Sequence, residues 1–192
     1  GVVEARSEPR HVVTTVIEHP ATERPCAWLE RHGTRLTRTG VDVDGRARVE
    51  EARAAIDADT ALVSVMHSNN ETGVLQPVVE FTQLAHAVGA MLHTDAAQSV
   101  GKVALNVREL GVDLLSVAGH KLYAPKGVGA LYVRRGTPLV PFVLGAGHER
   151  GLRPGTENVA SIVGLGTACE IAGRDMEAAA TRLADLRDEL WD

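Results

Sequence analysis

Short β-rich segments alternate with amphipathic segments along the chain. Runs of β-branched and other apolar residues predict strands at 11–17, 35–39, 61–66, 90–93, 113–117 and 128–133. Apolar residues at helical spacing predict helices at 22–31, 49–56, 78–88, 107–110, 157–172 and 176–191. This alternation predicts an α/β fold of three αβα layers, in which helices cover both faces of a largely parallel sheet.

One connection does not fit a purely parallel sheet. About ten residues separate the predicted strand 113–117 from the strand 128–133, whereas a parallel crossover needs a dozen or more. We therefore expect strand 128–133 to run antiparallel to its neighbour.

Composition narrows the class of protein. A chain of 192 residues with 44% hydrophobic residues can bury one sizeable core. Its net charge of −5 argues against a nucleic-acid-binding domain, and no apolar run approaches the roughly 18 residues of a membrane helix. Residues 1–10 lack the apolar core of a signal peptide.

Cys26 and Cys169 lie far apart, so we expect a cytoplasmic protein with reduced thiols, both of them buried on helices.

Polar residues follow three consecutive predicted strands, at 67–71, at 93–98 and at 119–121. Parallel strands joined by right-handed crossovers place these groups at one carboxyl edge, where open α/β sheets bind ligands. The sequence therefore predicts a site at this edge of the sheet.

Lys121 and Asp95 indicate the chemistry of that site. A lysine whose stem is desolvated can form a Schiff base with a carbonyl, although most lysines that end a strand are surface residues. An aspartate at a strand end can hold the protonated ring nitrogen of pyridoxal phosphate (PLP), or it can cap the following helix. Their combination on adjacent strand ends favours the cofactor. His19, after the first strand, can stack on a flat cofactor or lie at the rim of the core.

A metal site is the rival interpretation. His67, His93, His120 and Asp95 are residue types that bind zinc or iron. No HExxH motif or cysteine pair accompanies them, so we expect no metal.

A glycine-rich loop at 145–155 precedes Thr156 and a predicted helix. Backbone N–H groups at the helix start, with the Thr156 hydroxyl, could bind an anion, and Arg150 and Arg153 are suitable partners. The alternative is that Thr156 only caps the helix.

Five segments make the sequence recognisable. They are IEH (17–19), HSNNETG (67–73), HTDAAQSVGK (93–102), AGHKLYAPKGVGALYVRR (118–135) and GHERGLRPGTEN (147–158). In this order they resemble the cysteine desulfurases, the NifS-like and IscS-like enzymes among the class V aminotransferases. The resemblance covers about residues 11–173 and implies the PLP-dependent fold of that family.

The resemblance also implies residue roles. Lys121 would form the Schiff base with PLP, Asp95 would pair with its ring nitrogen, and Gln98 would hydrogen-bond its phenolic oxygen. His19 would stack on the ring and could donate a proton, so Lys121 and His19 are the implied catalytic residues.

Three further positions follow from the same resemblance. Asn70 would lie beside the phenolic side of PLP and the substrate carboxylate, and His120 would contact the phosphate. Thr156 would bind the phosphate of the other subunit's cofactor, which implies a homodimer. Ala118 departs from the family, which often has serine there to contact the phosphate.

The implied reaction converts L-cysteine to L-alanine and leaves sulfur on an enzyme cysteine as a persulfide. The sulfur then passes to an acceptor such as an iron–sulfur scaffold protein, although similar enzymes also serve tRNA thiolation and DNA phosphorothioation. A selenocysteine lyase, or another class V PLP lyase, would share the cofactor residues. A non-catalytic truncated product with an assembly or binding role is a third alternative.

Family members are about twice as long as this chain. We therefore expect residues 1–173 to be the central part of the PLP-binding large domain, and 174–192 a helix leading toward a missing small domain. Cys26 and Cys169 do not match the family's persulfide cysteine, so we expect a fragment that binds PLP weakly at Lys121 and does not desulfurate cysteine alone.

Overall fold

The computed structural model describes residues 1–6 and 10–191 and contains a sheet of six strands. The strands are β1 (His11–Thr15), β2 (Arg35–Thr39), β3 (Thr60–Ser64), β4 (Met91–Asp95), β5 (Leu114–Ala118) and β6 (Gly129–Val133). Each of the predicted strands is present, with its ends shifted by up to two residues.

The sheet has the strand order β2-β1-β3-β4-β5-β6. Every neighbouring pair is parallel except β5 and β6, which are antiparallel. The expected mostly parallel sheet with one antiparallel strand is thus confirmed. Strands β1, β3, β4 and β5 all point their carboxyl ends to the same edge.

Helices cover both faces of the sheet, as the three-layer prediction requires. The helices are α1 (Pro20–Arg31), α2 (Val49–Ala55), α3 (Val78–Ala87), α4 (Val107–Leu110) and α5 (Val159–Trp191). On one face, Phe81 and Ala85 of α3 pack into the main core with Val63 and Leu92. On the other, Cys26 of α1 packs with Val12 in a smaller core. None of the helices in the described ranges combines the length and apolar character needed to cross a membrane.

Helix α5 corrects two expectations. The sequence predicted two closing helices, 157–172 and 176–191, but one helix of 33 residues runs through Gly173. A single glycine costs a helix only about 1 kcal/mol, which the flanking helix formers offset. Cys169 was expected to be buried but is exposed, because α5 buries little of its surface. Cys26 is buried as expected.

Gly119 permits the close approach that forms the end of β5. It opens a 3₁₀ turn, Gly119–Leu122, and donates its N–H to the carbonyl of Val128 at 3.1 Å. A Cβ atom at Gly119 would lie 2.6 Å from that carbonyl oxygen. The residue must therefore be glycine if the turn is to pack against the start of β6.

We expect Gly119→Ala to destabilise the chain by about 1–3 kcal/mol, since the added methyl group overlaps the backbone. Urea unfolding measures this loss. Gly166→Ala in α5 is the matched control, because no atom lies within 4 Å of its Cβ position. The control should gain about 0.5–1 kcal/mol from helix propensity. Equal free energies of unfolding in both variants would contradict the close approach.

Candidate active site

A cavity of about 660 Å³ opens at the carboxyl edge of the sheet. Six of the predicted site residues line it: His19, Asn70, Asp95, Gln98, His120 and Lys121. They lie at or after the carboxyl ends of β1, β3, β4 and β5, so the parallel strand order brings them together. Leu62, Leu114 and Leu131 supply an apolar part of the wall.

Lys121 lies on the 3₁₀ turn that follows β5, one residue after His120. Both side chains are exposed at the cavity. The desolvated stem that the preceding apolar run suggested is therefore absent from this structure. The turn places the Lys121 side chain at the cavity without burying it.

Asp95 is the last residue of β4 and is half-buried. Its Oδ1 accepts a hydrogen bond from the backbone N–H of Ala97 at 2.9 Å. Asp95 thus has the capping role that was one of the two alternatives drawn from the sequence. This role engages only one of its two carboxylate oxygens. A carboxylate has a second oxygen, so capping is compatible with a ring-nitrogen contact from the same residue.

Gln98 is oriented by a neighbouring lysine. Its Oε1 accepts a hydrogen bond from Lys102 Nζ at 3.0 Å. With the oxygen engaged, the amide Nε2 remains as a donor toward the cavity. Partial burial and the nearby charge of Lys121 lower the pKa of Lys102.

His19 is the N-cap of α1. Its Nδ1 accepts a hydrogen bond from the backbone N–H of Ala21 at 3.1 Å. A neutral imidazole that accepts at Nδ1 carries its proton on Nε2. The cap therefore sets which nitrogen of His19 can donate.

Asn70 is presented by an ordered turn after β3. The preceding residue, Asn69, is buried, and its Oδ1 accepts from the backbone N–H groups of Glu71 and Thr72 at 2.9 Å each. Its Nδ2 donates to the carbonyl of Ile17 at 3.3 Å. The Asn70 loop is thus joined to the loop that carries His19.

A row of polar side chains crosses the sheet along the cavity wall. His93 Nδ1 is hydrogen-bonded to Ser64 Oγ at 2.8 Å, and His93 Nε2 to Ser116 Oγ at 2.9 Å. All three residues line the cavity. Burial lowers the pKa of His93 to about 4, against a smaller opposing effect of Asp95. The imidazole is therefore neutral near pH 7, with both nitrogens satisfied.

Sequence analysis did not find the two serines of this row, and it considered His93 only as a metal ligand. Both His93 nitrogens are engaged by hydroxyls, and His67 Nδ1 is hydrogen-bonded to Ser99 Oγ at 2.7 Å. In the described ranges, no three histidine, cysteine or acidic side chains form a group that could hold a metal ion. The strand register, Ser64 beside His93, would have been the signal for the row.

Thr156 lies apart from these residues. It is exposed and is not among the residues lining the cavity. Helix α5 begins at Val159, and Asn158 Oδ1 accepts from the backbone N–H of Ser161 at 3.2 Å. Asn158, not Thr156, therefore caps the helix. Arg153 donates to the carbonyl of Gly155 at 2.9 Å within the same loop.

A parallel α/β sheet with a lysine and an aspartate at its carboxyl edge is the arrangement of a PLP-dependent transferase domain. The family model described as Aminotransferase class-V matches residues 2–191. The chain belongs to this family.

Similar proteins share one activity in their names. A cysteine desulfurase from Gluconacetobacter diazotrophicus is 48% identical over 191 residues, which cover 99% of this chain and 48% of the relative. The cysteine desulfurase NifS of Azotobacter vinelandii is 47% identical and is matched over 99% of this chain and 47% of its own length. The chain thus spans about half the length of these curated relatives.

Solved structures agree with the fold. A NifS-like protein superposes with a TM-score of 0.94 at 40% identity, covering 98% of this chain and 53% of the other. The structure described as SspA in complex with cysteine superposes with a TM-score of 0.80 at 41% identity, covering 83% of this chain and 47% of the other.

Replacing His93 by glutamine should make the free energy of unfolding less sensitive to acid. The folded pKa of about 4 lies below the ordinary value of 6.5, so the folded chain loses stability as the pH falls from 6.5 to 4. The pKa shift limits this loss to about 3 kcal/mol. Urea unfolding of wild type and His93→Gln at pH 7 and pH 4.5 measures it.

The same substitution at exposed His32 controls for loss of a surface imidazole. A His93→Gln chain that loses as much stability between the two pH values as wild type would show that His93 is not the buried neutral group.

Proposed function

We propose that this chain is the cofactor-binding part of a PLP-dependent cysteine desulfurase. The observation that carries the proposal is the convergence of Lys121, Asp95, Gln98 and His19 on one cavity from the ends of neighbouring strands. The names of the relatives support the reaction, and the SspA structure with cysteine supports L-cysteine as the substrate.

The donor set of the cavity fits PLP. Lys121 supplies a primary amine for the carbonyl, Asp95 a carboxylate for the ring nitrogen, and Gln98 an amide donor for the phenolic oxygen. His19 supplies a ring to stack on the cofactor, and His120 a contact for the phosphate. Asn70 would lie beside the phenolic oxygen and the substrate carboxylate. Ala118 offers no hydroxyl to the phosphate, so another group must take that contact.

PLP, when bound, supplies an electron sink for the charge that develops at the substrate α-carbon. Lys121 would take the proton from that carbon, and Asp95 would hold the proton of the ring nitrogen. His19 donates a proton from Nε2, because its Nδ1 accepts from Ala21. The Ser64–His93–Ser116 row on the cavity wall remains uncharged. It therefore places no positive charge beside Asp95 that would compete with the ring nitrogen for the carboxylate.

The sulfur-accepting thiolate is expected outside residues 1–192. Cys26 lines the cavity, but burial raises the pKa of its thiol to about 11, so it is a poor nucleophile at neutral pH. Cys169 is exposed on α5 and is not among the residues lining the cavity. A thiolate from another segment or chain would take the substrate sulfur as a persulfide, release L-alanine, and pass the sulfur to an acceptor such as an iron–sulfur scaffold protein. We also propose a cytoplasmic location, which the free thiols of Cys26 and Cys169 support.

Lys121→Ala should abolish the visible absorption band that a PLP Schiff base gives, because Lys121 is the only lysine among the described residues that line the cavity. The measurement is an absorbance spectrum of the chain with added PLP. Lys126→Ala is the matched control, since Lys126 is exposed and is not among the residues lining the cavity. A band of equal strength in Lys121→Ala would contradict the assignment.

The same preparations, given L-cysteine with a thiol reductant, should release no alanine from the 192-residue chain. Alanine and sulfide from this chain alone would show that the accepting thiolate lies within it. Faster turnover of L-selenocysteine than of L-cysteine by the natural gene product would instead favour a selenocysteine lyase.

We also propose a homodimer in which Thr156 serves the partner's cofactor. Thr156 is exposed and is not among the residues lining the cavity of its own chain. The nearby segment 140–144 exposes Phe142 by 85%, Val143 by 58% and Leu144 by 84%. Contiguous exposed apolar side chains are typical of a protein–protein interface.

Phe142→Asp combined with Leu144→Asp should convert the dimer to a monomer, because burying two carboxylates at an apolar interface is strongly unfavourable. Sedimentation velocity of the natural gene product measures the change. Val43→Asp is the control, since Val43 is 99% exposed in the segment between β2 and α2. A wild-type protein that sediments as a monomer, or a double variant that still dimerises, would contradict this interface.

A further inference from the structure

Glu18 is next to His19 in the chain and close enough to Asp95 to interact with its charge. The proposed function uses both of these residues but gives Glu18 no role. It follows the carboxyl end of β1 and directly precedes His19. The Thr15 hydroxyl donates to Glu18 Oε1 at 2.7 Å, and the backbone N–H of Met66 donates to the same oxygen at 2.9 Å. One carboxyl oxygen thus joins the β1–α1 loop to the segment that follows β3.

This bond across the sheet edge is reinforced by a second one. Asn69, in the loop after β3, donates from Nδ2 to the carbonyl of Ile17 at 3.3 Å. Residues 17 and 18 are therefore both fastened to the segment that leads to Asn70. His19 comes next and begins α1, so the position of its ring depends on this attachment.

The other oxygen of Glu18 has a different environment. In the part of the chain that the structure describes, Oε2 is fully buried and has no hydrogen-bond partner. Three titratable groups face the carboxyl: Asp95 from β4, and Glu23 and Cys26 from α1. Burial, with the like charges of Asp95 and Glu23, raises the pKa of Glu18 to about 7, against the two bonds from Thr15 and Met66.

An ionised Glu18 would place a desolvated negative charge close to Asp95, whereas a proton on Oε2 leaves only a neutral polar group without a partner, which costs less. A protonated Glu18 keeps Oε1 as an acceptor for Thr15 and Met66 and removes that charge. The neutral form thus preserves the attachment of the loop and leaves the Asp95 charge unopposed by a second carboxylate.

We propose that Glu18 is a positioning residue for His19: in its protonated form its carboxyl group fastens the β1–α1 loop to the segment that follows β3 without adding a negative charge beside Asp95. The importance of His19 rests on the proposed function, whereas the attachment and its protonation do not. Glu18 is not among the residues lining the cavity and acts through His19 and Asp95.

The first test needs no cofactor. A group whose folded pKa lies above its ordinary value contributes stability at low pH that is lost as the pH rises, here between about 4.5 and 7. Glu18→Gln keeps the acceptor oxygen and cannot ionise. Relative to wild type, its folding equilibrium constant should therefore rise about tenfold or more between pH 5 and pH 8, a change equivalent to at least one unit of pKa shift.

Urea unfolding of the natural gene product without PLP, at both pH values, gives that ratio. Glu71→Gln is the matched control, because Glu71 is an exposed carboxylate in the neighbouring loop. Between pH 5 and pH 8, the folding equilibrium constant of this control should change less than about twofold relative to wild type, as expected for a surface substitution. A Glu18→Gln variant that changes as little as the control would overturn the protonated state.

The second test reads the position of His19. In protein labelled with nitrogen-15 at histidine, the imidazole signals of His19 should move in Glu18→Ala and stay near their wild-type positions in Glu18→Gln, because only the alanine variant loses the Oε1 acceptor. His19→Gln identifies the signals. Unmoved signals in Glu18→Ala would overturn the positioning role.

The PLP dissociation constant adds a readout that separates the two proposals. It should rise roughly tenfold in Glu18→Ala and less than threefold in Glu18→Gln, as expected when His19, a residue proposed to contact the cofactor, is displaced. If wild type binds no PLP, the proposed function fails, while the unfolding and histidine measurements still decide the role of Glu18.

Discussion

Parallel pairing of β1, β3, β4 and β5 places four consecutive strand ends at one edge of the sheet, and the cavity lies where they meet. The pairing brings together the segments that carry His19, Asn70, Asp95 and Lys121, all of which line the cavity. A slip of one residue in any of these strands would turn its side chains to the opposite face. The main core of Val63, Leu92 and their neighbours resists such a slip, because it would expose these buried residues.

Much of this arrangement follows from the sequence because it depends on local patterns. Apolar β-branched runs mark the strands, and the short connection before β6 gives its direction. The position of Lys121, directly after an apolar run, marks a strand end. The family motifs then assign roles to residues whose positions the strand order already brings together.

Other features depend on long-range packing, which local patterns in the sequence do not reveal. The serines beside His93 lie 29 and 23 residues away in the chain, and the register that joins them is set by the whole sheet. The continuity of α5 through Gly173 and the exposure of Cys169 likewise depend on how little of that helix is covered. The cap at Asn158 was missed because Thr156 is also a good capping residue, and the sequence alone does not choose between them.

The electrostatics around Asp95 connect these observations. His93 lies two residues away on the same strand and face, and desolvation keeps it neutral. Glu18 faces Asp95 from the neighbouring loop, and desolvation raises the pKa of its carboxyl group to about 7. A charged His93 would neutralise the Asp95 carboxylate, and a charged Glu18 would repel it. Because burial opposes the charge of both, the contact proposed between Asp95 and a cationic ring nitrogen meets little competing charge, and such a contact makes a pyridine ring withdraw electrons more strongly.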